Sequence, residues 1–516
     1  MARFYSISFS CFLFHPTRKV IDPFFTQIEL AYHIHEIDNY IMKILMVSSE
    51  TVPFSKSGGL ADVVGALSKA LVDENNEVSI FMPFYSFIDK KGFKKGIELS
   101  VSMLNKAEKA EVYEKKADGV TYLALAHPYF TEREGIYGKD SFSPYIDNAA
   151  RFLFFSKCAI EYAKESKIHF DVIHAHDWPA GLVPFYAKAA KLKAKTVFTI
   201  HNLAYQGSFS PYDAILAGDE LPKEAFVGFG EERRFNMLNG AILTSDVITT
   251  VSPTYAEEIK SEAFGCGLES VLKERENSLY GILNGIDYKE WSSSKDQFFT
   301  SHFSSSNLKG KENLKEEILK EYGLEEYKEK PLFALISRLA EQKGFNELLL
   351  EGDESALETI LKKNDSAFII IGTGDDRYVS KLKELDEKYE NISVNILFSN
   401  SASHRLEGAA DFFLMPSKYE PCGLNQMYSE HYGTLPIASR TGGLNDTIID
   451  MSEENGTGFL IEKLTGDEII ANVNRAIDLY NNDKKALKDA RIRAMKKDFS
   501  WSRSAKEYIS IYKSNN

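Results

Sequence analysis

Six short runs in the first 290 residues are apolar almost throughout: KILMVSS, EVSIFMP, TYLALAHP, FDVIHAHD, KTVFTIHN and DVITTVSP. A strand with one face in water alternates apolar and polar residues, whereas a strand apolar on both faces has to be covered on both. Helical patterns lie between these runs. One covers residues 148–165, with Phe152, Phe155, Ala159 and Tyr162 on one side. Another covers 60–71, with Leu60, Val63, Val64, Leu67 and Leu71 in line. Buried strands separated by helices predict a parallel sheet wrapped on both sides. After Trp291 the polar, serine-rich SSSKDQFFTSHFSSSNLKGKENLKEE reads as a connector or surface excursion. The alternation then restarts with PLFALISRL, AFIIIGTGD, ISVNILF, DFFLMPSK, TLPIASRTGG and GFLIEK. The expected fold is α/β, with two Rossmann-like, doubly wound domains over residues 42–290 and 291–495. Residues 496–516 are expected as a helix crossing back onto the first domain.

In an open parallel sheet, ligands bind beyond the carboxyl ends of the strands. Polar residues gather at those ends here: Glu50, His127, His176, Asp177, His201, Asn202, Arg338 and Glu420. Two such edges facing each other make an interdomain cleft suited to an enzyme or a small-ligand binder. A chain of 516 residues, 44% hydrophobic and 26% charged, has ample core for two such domains. Its net charge of −14 argues against a nucleic-acid partner. Cys11, Cys158, Cys266 and Cys422 lie far apart without a CxxC pair, which points to a reducing compartment, the cytoplasm, and away from structural zinc. No run approaches the roughly 18 apolar residues of a membrane helix. Residues 1–41 stand apart. MARFYSISFSCFLFHPTRKV has no acidic residue, so it reads either as an organellar transit segment, making a plastid the alternative location, or as sequence ahead of a start at Met42.

Two segments share one design. SKSGGLADVVGALSKAL at residues 55–71 sets Lys56 and a hydroxyl before Gly58 and Gly59, and RTGGLNDTII sets Arg440 and Thr441 before Gly442 and Gly443. Each Gly-Gly reads as a tight turn or as backbone opened to an anion at a helix start; the repetition favours the second. Neither segment is a P-loop, and IIIGTGDD lacks the third glycine of a dinucleotide fingerprint, which argues against a dehydrogenase or epimerase. Arg338 and Lys343 could neutralise a diphosphate, a planar fork beside a point charge, or could sit on a solvated loop. Glu420, ahead of Pro421 and Gly423, points into the cleft or sits as a helix-start acid. His174 and His176 share one side of a strand, with no third ligand nearby for a metal. Tyr129, Phe130, Tyr137 and Tyr205 could stack on sugar rings or anchor loops.

The blocks SKSGGLADVVGALSKAL, HAHDW, IHNLAYQG, ILNGID, SRLAEQKG, EPCGLNQMY and TGGLNDT resemble, in order and spacing, bacterial glycogen synthases and plant starch synthases. The likeness runs from about residue 42 to residue 501. It implies a GT-B fold and transfer of glucose from ADP-glucose to the non-reducing 4-OH of an α-1,4-glucan with retention, without a metal or other cofactor. It implies catalytic roles for Glu420, Arg338, Lys343, Lys56 and His201. On the donor side it adds Gly58, Gly59, Asn284, Phe398 near adenine, Thr441, Gly442 and Gly443. Around the acceptor it adds Glu50, Asp62, Tyr137, Asp177 and Asn202. Ser57 replaces the usual threonine of KTGGL but keeps the hydroxyl. Tyr428 stands where many GT-B enzymes carry a ribose-binding glutamate, which leaves ribose recognition unassigned. A UDP-glucose enzyme of the same fold and an inactive glucan binder are the competing readings.

Overall fold

The computed structural model describes residues 40–514 apart from 105, 141–142, 218–224, 229–232 and 353. Both readings of the leading segment fall on residues 1–39, outside the described residues, save for its last two positions. Contacts divide the chain into Met1–Met42 and Lys43–Asn516, and the fold lies in the second unit.

Its strands are β1 (Lys43–Val47), β2 (Glu77–Pro83), β3 (Lys94–Met103), β4 (Lys106–Ala117), β5 (Val120–Ala126), β6 (Val172–His176), β7 (Lys195–Ile200), β8 (Ser208–Phe209), β9 (Phe226–Val227), β10 (Arg234–Asn236), β11 (Val247–Thr250) and β12 (Leu279–Gly281). They continue with β13 (Leu332–Ile336), β14 (Ala367–Ile371), β15 (Ile392–Asn395), β16 (Phe412–Met415), β17 (Leu435–Ser439) and β18 (Phe459–Ile461). The helices that matter for the site are α1 (Gly59–Asp73), α2 (Asn148–Glu165), α3 (Pro253–Glu258), α4 (Lys309–Glu321), α5 (Asn400–Ala409), α6 (Asn425–His431), α7 (Gly442–Thr447) and α8 (Trp501–Lys513).

The first sheet runs β12-β11-β7-β6-β1-β2-β5-β4-β3 and the second β15-β14-β13-β16-β17-β18. Pairing is parallel from β12 to β5 and throughout the second sheet. Each sheet winds outward in both directions from its centre. The strand order reverses between β1 and β6 in the first and between β13 and β16 in the second. Such a reversal opens a crevice at the carboxyl ends. Successive strand residues point to opposite faces. Phe333, Leu335, Phe368 and Ile370 therefore enter one buried cluster, while Leu332, Ala334, Ala367, Ile369 and Ile371 enter another. The second sheet is covered on both sides.

Two expectations need correction. The first sheet is not wholly parallel, because β3 and β4 form an antiparallel hairpin on its edge. Leu99, Val101 and Met103 are buried while Ser100 and Ser102 are exposed, the period of a one-sided strand, which a search for runs apolar on both faces passes over. The small sheet β8-β10-β9 escapes for a different reason: its strands have two or three residues each. The serine-rich stretch after Trp291 is not a surface excursion. Trp291, Phe299 and Phe303 join the core of the second sheet, and Asp296 accepts from the Tyr432 hydroxyl at 2.5 Å and pairs with His404 Nδ1 at 2.7 Å. Leu314, Ile318 and Leu319 of α4 continue the same packing.

The chain returns to the first sheet as expected. Ile286 N–H donates to Phe499 O at 2.8 Å, and α8 then packs on the first sheet's side. Ser504 Oγ donates to Leu283 O at 2.6 Å, Lys195 Nζ to Ile511 O at 2.7 Å, and the Tyr512 hydroxyl lies 2.8 Å from His174 Nδ1.

Candidate functional site

At the first crevice β1 runs into Ser48, Ser49 and Glu50. Glu50 is 2% exposed. Its carboxylate accepts from the Ser57 N–H, from Ser57 Oγ at 2.8 Å and from the Tyr137 hydroxyl at 2.6 Å. Glu50 and Tyr137, two of the five acceptor-side candidates, thus face the Lys56 loop and shape it. Arg151, buried in α2, donates to Tyr129 O at 2.8 Å and Ile136 O at 3.0 Å and so fixes the segment that carries Tyr137. Phe130 is buried as a loop anchor, whereas Tyr205 is 56% exposed. Lys56 Nζ pairs with Asp62 at 2.8 Å, both partly exposed, which brings a donor-side and an acceptor-side candidate together. A side chain at Gly58 or Gly59 would meet nothing within 4 Å; the start of α1 is open.

Beyond β6, Asp177 takes the unusual φ of +54° and accepts from the His201 N–H at 2.7 Å. Burial, the main cause, raises its carboxyl to about 7 despite the backbone N–H groups of His201 and Asn202. His176 Nδ1 lies 3.1 Å from His201 Nε2. Burial pushes His201 down to about 3 and His176 well below its usual value, so both rings are neutral near pH 7. His174 does not line the cleft: besides Tyr512 it meets Thr199 Oγ1 at 2.6 Å, in the core. Among the described residues no group of three or more His, Cys, Asp or Glu side chains is placed to hold a metal ion.

The second crevice is built by the loops after β13 and β16. Lys418 N–H donates to Gln342 O at 2.8 Å and Gln342 Nε2 to Tyr419 O at 3.3 Å, joining the two loops. Gly344 makes the approach possible: its φ is +76°, and a Cβ there would fall 1.7 Å from Pro416 O. Within this frame Glu420, 7% exposed, receives Lys343 Nζ at 2.5 Å and Ser417 Oγ at 3.1 Å. The Arg338 guanidinium is exposed and makes a long contact of 3.5 Å to Gln342. Phe398, on the loop after β15, is 88% exposed. Asn284 is buried and hydrogen-bonds the Cys422 thiol, which burial pushes up to about 12 and so away from nucleophilic use. Asn202 reaches across to Tyr419.

The second Gly-Gly differs from the first. Thr441, Gly442 and Gly443 are buried. Gly443 N–H donates to Glu420 O at 3.2 Å, and a Cβ would stand 1.9 Å from Glu420 O at Gly442 or 2.1 Å from Cys422 O at Gly443. Thr441, Gly442 and Gly443, expected against the donor glucose and phosphate, form the bed under the Glu420 loop. The repeated design in sequence covers one open helix start and one packed one.

Sequence reasoning missed the residues that join the crevices. Ser252 Oγ donates to Pro421 O at 2.6 Å, and Thr254 and Glu258 of α3 bond Asp446 and Thr441 of the second half. SPTYAEE reads as a helix start, Ser252 capping the Tyr255 N–H. Nothing local signals a partner some 190 residues away.

The description "Starch synthase catalytic domain" fits residues 43–274, and "Glycosyl transferases group 1" fits residues 316–493. The chain is 38% identical over 491 residues to a glycogen synthase of Koribacter versatilis (strain Ellin345), covering 91% of this chain and 98% of that one. It is 40% identical over 481 residues to a glycogen synthase of Treponema denticola, with the same coverage. Among solved structures, the catalytic domain of starch synthase IV from Arabidopsis thaliana, bound to ADP and acarbose, superposes with a TM-score of 0.81 at 29% identity, over 92% of this chain and 99% of that one. A sucrose-phosphate synthase of Thermosynechococcus elongatus shares the fold, with a TM-score of 0.58 at 16% identity over 91% of this chain and 98% of that one.

Proposed function

The chain belongs to the glycogen and starch synthase family of GT-B glucosyltransferases and elongates a glucan; on that premise we propose that its donor is ADP-glucose and that Glu420, Lys343, Arg338, Lys56 and His201 carry the transfer. The observation that carries this reading is the open Arg338 guanidinium beside the buried Lys343–Glu420 pair, at the strand-order reversal of the second sheet.

As the bond from glucose C1 to the phosphate oxygen breaks, positive charge grows on the sugar and negative charge on the leaving diphosphate. Fixed donors aimed at such charge are worth roughly 3 kcal/mol each. Arg338 offers a planar fork to phosphate oxygens, with Lys343 and Lys56 as point charges; these three cations meet the diphosphate's charge in this reading, with no metal as a component. Glu420 stabilises the developing sugar cation. The acceptor 4-OH attacks C1 on the face that the diphosphate leaves, its proton passes to the departing phosphate oxygen, and configuration is retained. His201, neutral, holds the sugar. Phe398 offers its exposed ring to adenine, and Gly58 and Gly59 let phosphate approach the start of α1. The acceptor lies on the first half, with Asn202 and Asp177 at the strand ends. The cytoplasm is the compartment this reading assumes, since Cys158, Cys266 and Cys422 are all free thiols.

The test supplies glycogen with ADP-glucose or UDP-glucose and follows nucleotide release and the anomeric signal of the product by NMR. ADP release with new α-linkages is expected. A higher kcat/KM with UDP-glucose overturns the donor assignment, and β-linkages overturn retention.

A further inference from the structure

The two halves are joined by an exchange between α3 and α7. At the start of α3, Thr254 donates its N–H and Oγ1 to the Asp446 carboxylate at 2.8 and 2.7 Å, and Asn445 Nδ2 donates to Thr254 Oγ1 at 2.9 Å. In the other direction Glu258, at the end of α3, accepts from Thr441 Oγ1 at 2.8 Å and from the Gly442 N–H at 3.0 Å, at the start of α7. Each half thereby supplies the acid that satisfies the helix start of the other. The turn that Glu258 grips is the bed of the Glu420 loop. Gly443 N–H donates to Glu420 O, and Gly442 and Gly443 lie so close to the backbone of Glu420 and Cys422 that no side chain fits between. Close-packed backbone transmits displacement, so a shift at Glu258 becomes a shift at Glu420. Among the described residues, Glu258 Oε2 is buried without a hydrogen-bond partner. The carboxylate is accounted for by the two bonds of Oε1.

We propose that Glu258 is a positioning residue for glucosyl transfer, a carboxylate of the first half that sets the Glu420 loop of the second, so that this loop takes its working geometry only when the halves are seated together. This rests on the assignment of Glu420 above. Glu258→Ala, Glu258→Gln, Glu420→Gln and the double variant Glu258→Ala/Glu420→Gln are compared by steady-state kinetics on the full chain, with the folded fraction measured by circular dichroism. The exposed Glu257→Gln serves as control. Glu258→Ala lowers kcat at least tenfold with the glucan KM within twofold. Glu258→Gln, whose amide oxygen still accepts from Thr441 and Gly442, recovers at least a third of the parent kcat. The double variant falls no more than twofold below Glu420→Gln, because both act through one group. The proposal is overturned by a Glu258→Ala kcat within twofold of the parent, by a loss that only tracks the folded fraction, by no recovery in Glu258→Gln, or by full additivity in the double variant. Should Glu258→Ala not fold, Glu258→Asp, whose carboxylate is one carbon short, takes its place. If Glu420→Gln itself keeps its kcat, the assignment of Glu420 fails and takes this proposal with it. If Glu420→Gln collapses while Glu258→Ala does not, only the role of Glu258 is lost.

Discussion

Glu420 and Lys343 are 77 residues apart in the chain, yet they form a pair with side chains 10% and 19% exposed. Removing the ammonium takes a cation from the leaving group and leaves a buried carboxylate unpaired. Lys343→Ala is therefore expected to lower kcat/KM by at least about a hundredfold, roughly 3 kcal/mol, read from nucleotide release. Asp177 makes a second prediction. Burial raises its carboxyl from 3.8 to about 7, so between these values the folded chain holds a proton that the unfolded chain has released. Stability falls as pH climbs through that window. Asp177→Asn keeps an oxygen for the His201 N–H but cannot ionise. Its stability by urea unfolding should gain on the parent from pH 4 to pH 7 and stay level above; an unchanged difference across the window would refute this. The reactive residue types could be picked from the sequence because each stands at a strand end. Their pairings could not, since Glu50 to Ser57, Lys56 to Asp62 and Lys343 to Glu420 depend on how loops fold back.

The two Gly-Gly helix starts separate local pattern from environment. At α1 the glycines face open space, and at α7 they face backbone at about 2 Å. Gly443→Ala is expected to cost about 1–3 kcal/mol by overpacking, with the loss visible in thermal unfolding. Gly59→Ala should leave stability within about 0.5 kcal/mol and raise the donor KM, since its methyl group occupies only the space left for phosphate. If the two variants lose stability equally, the distinction fails. Helix α1 itself was legible residue by residue: Leu60, Val63, Val64, Leu67 and Leu71 are all buried. The β3–β4 hairpin was not, because its one-sided pattern differs from that of the strands around it, and the stretch after Trp291 hides two buried aromatics, Phe299 and Phe303, among serines.

Across the whole chain, α8 closes the structure by returning to the first sheet, where Tyr512 meets the buried ring of His174. Tyr512→Phe removes that hydroxyl and leaves Nδ1 unpaired, and is expected to cost about 1–2 kcal/mol in urea unfolding with an unchanged m-value; no loss would mean that another group satisfies the ring. Such contacts span more than 300 residues of chain. What could be read from the order of residues was the runs apolar on both faces, the helical faces between them, the division into two doubly wound sheets, the return of the last helix and the family-specific blocks at the strand ends. These follow from spacing within a few residues, which burial imposes on any chain of this kind. What the residues at those ends touch was settled only by the fold. The same Gly-Gly-Leu became open backbone in one half and a packed bed in the other, because the loop that lies over it comes from elsewhere in the chain. Glu258 drew no notice as part of an ordinary helix. Its meaning comes from Thr441 and Gly442, which the fold alone brings within 3.0 Å.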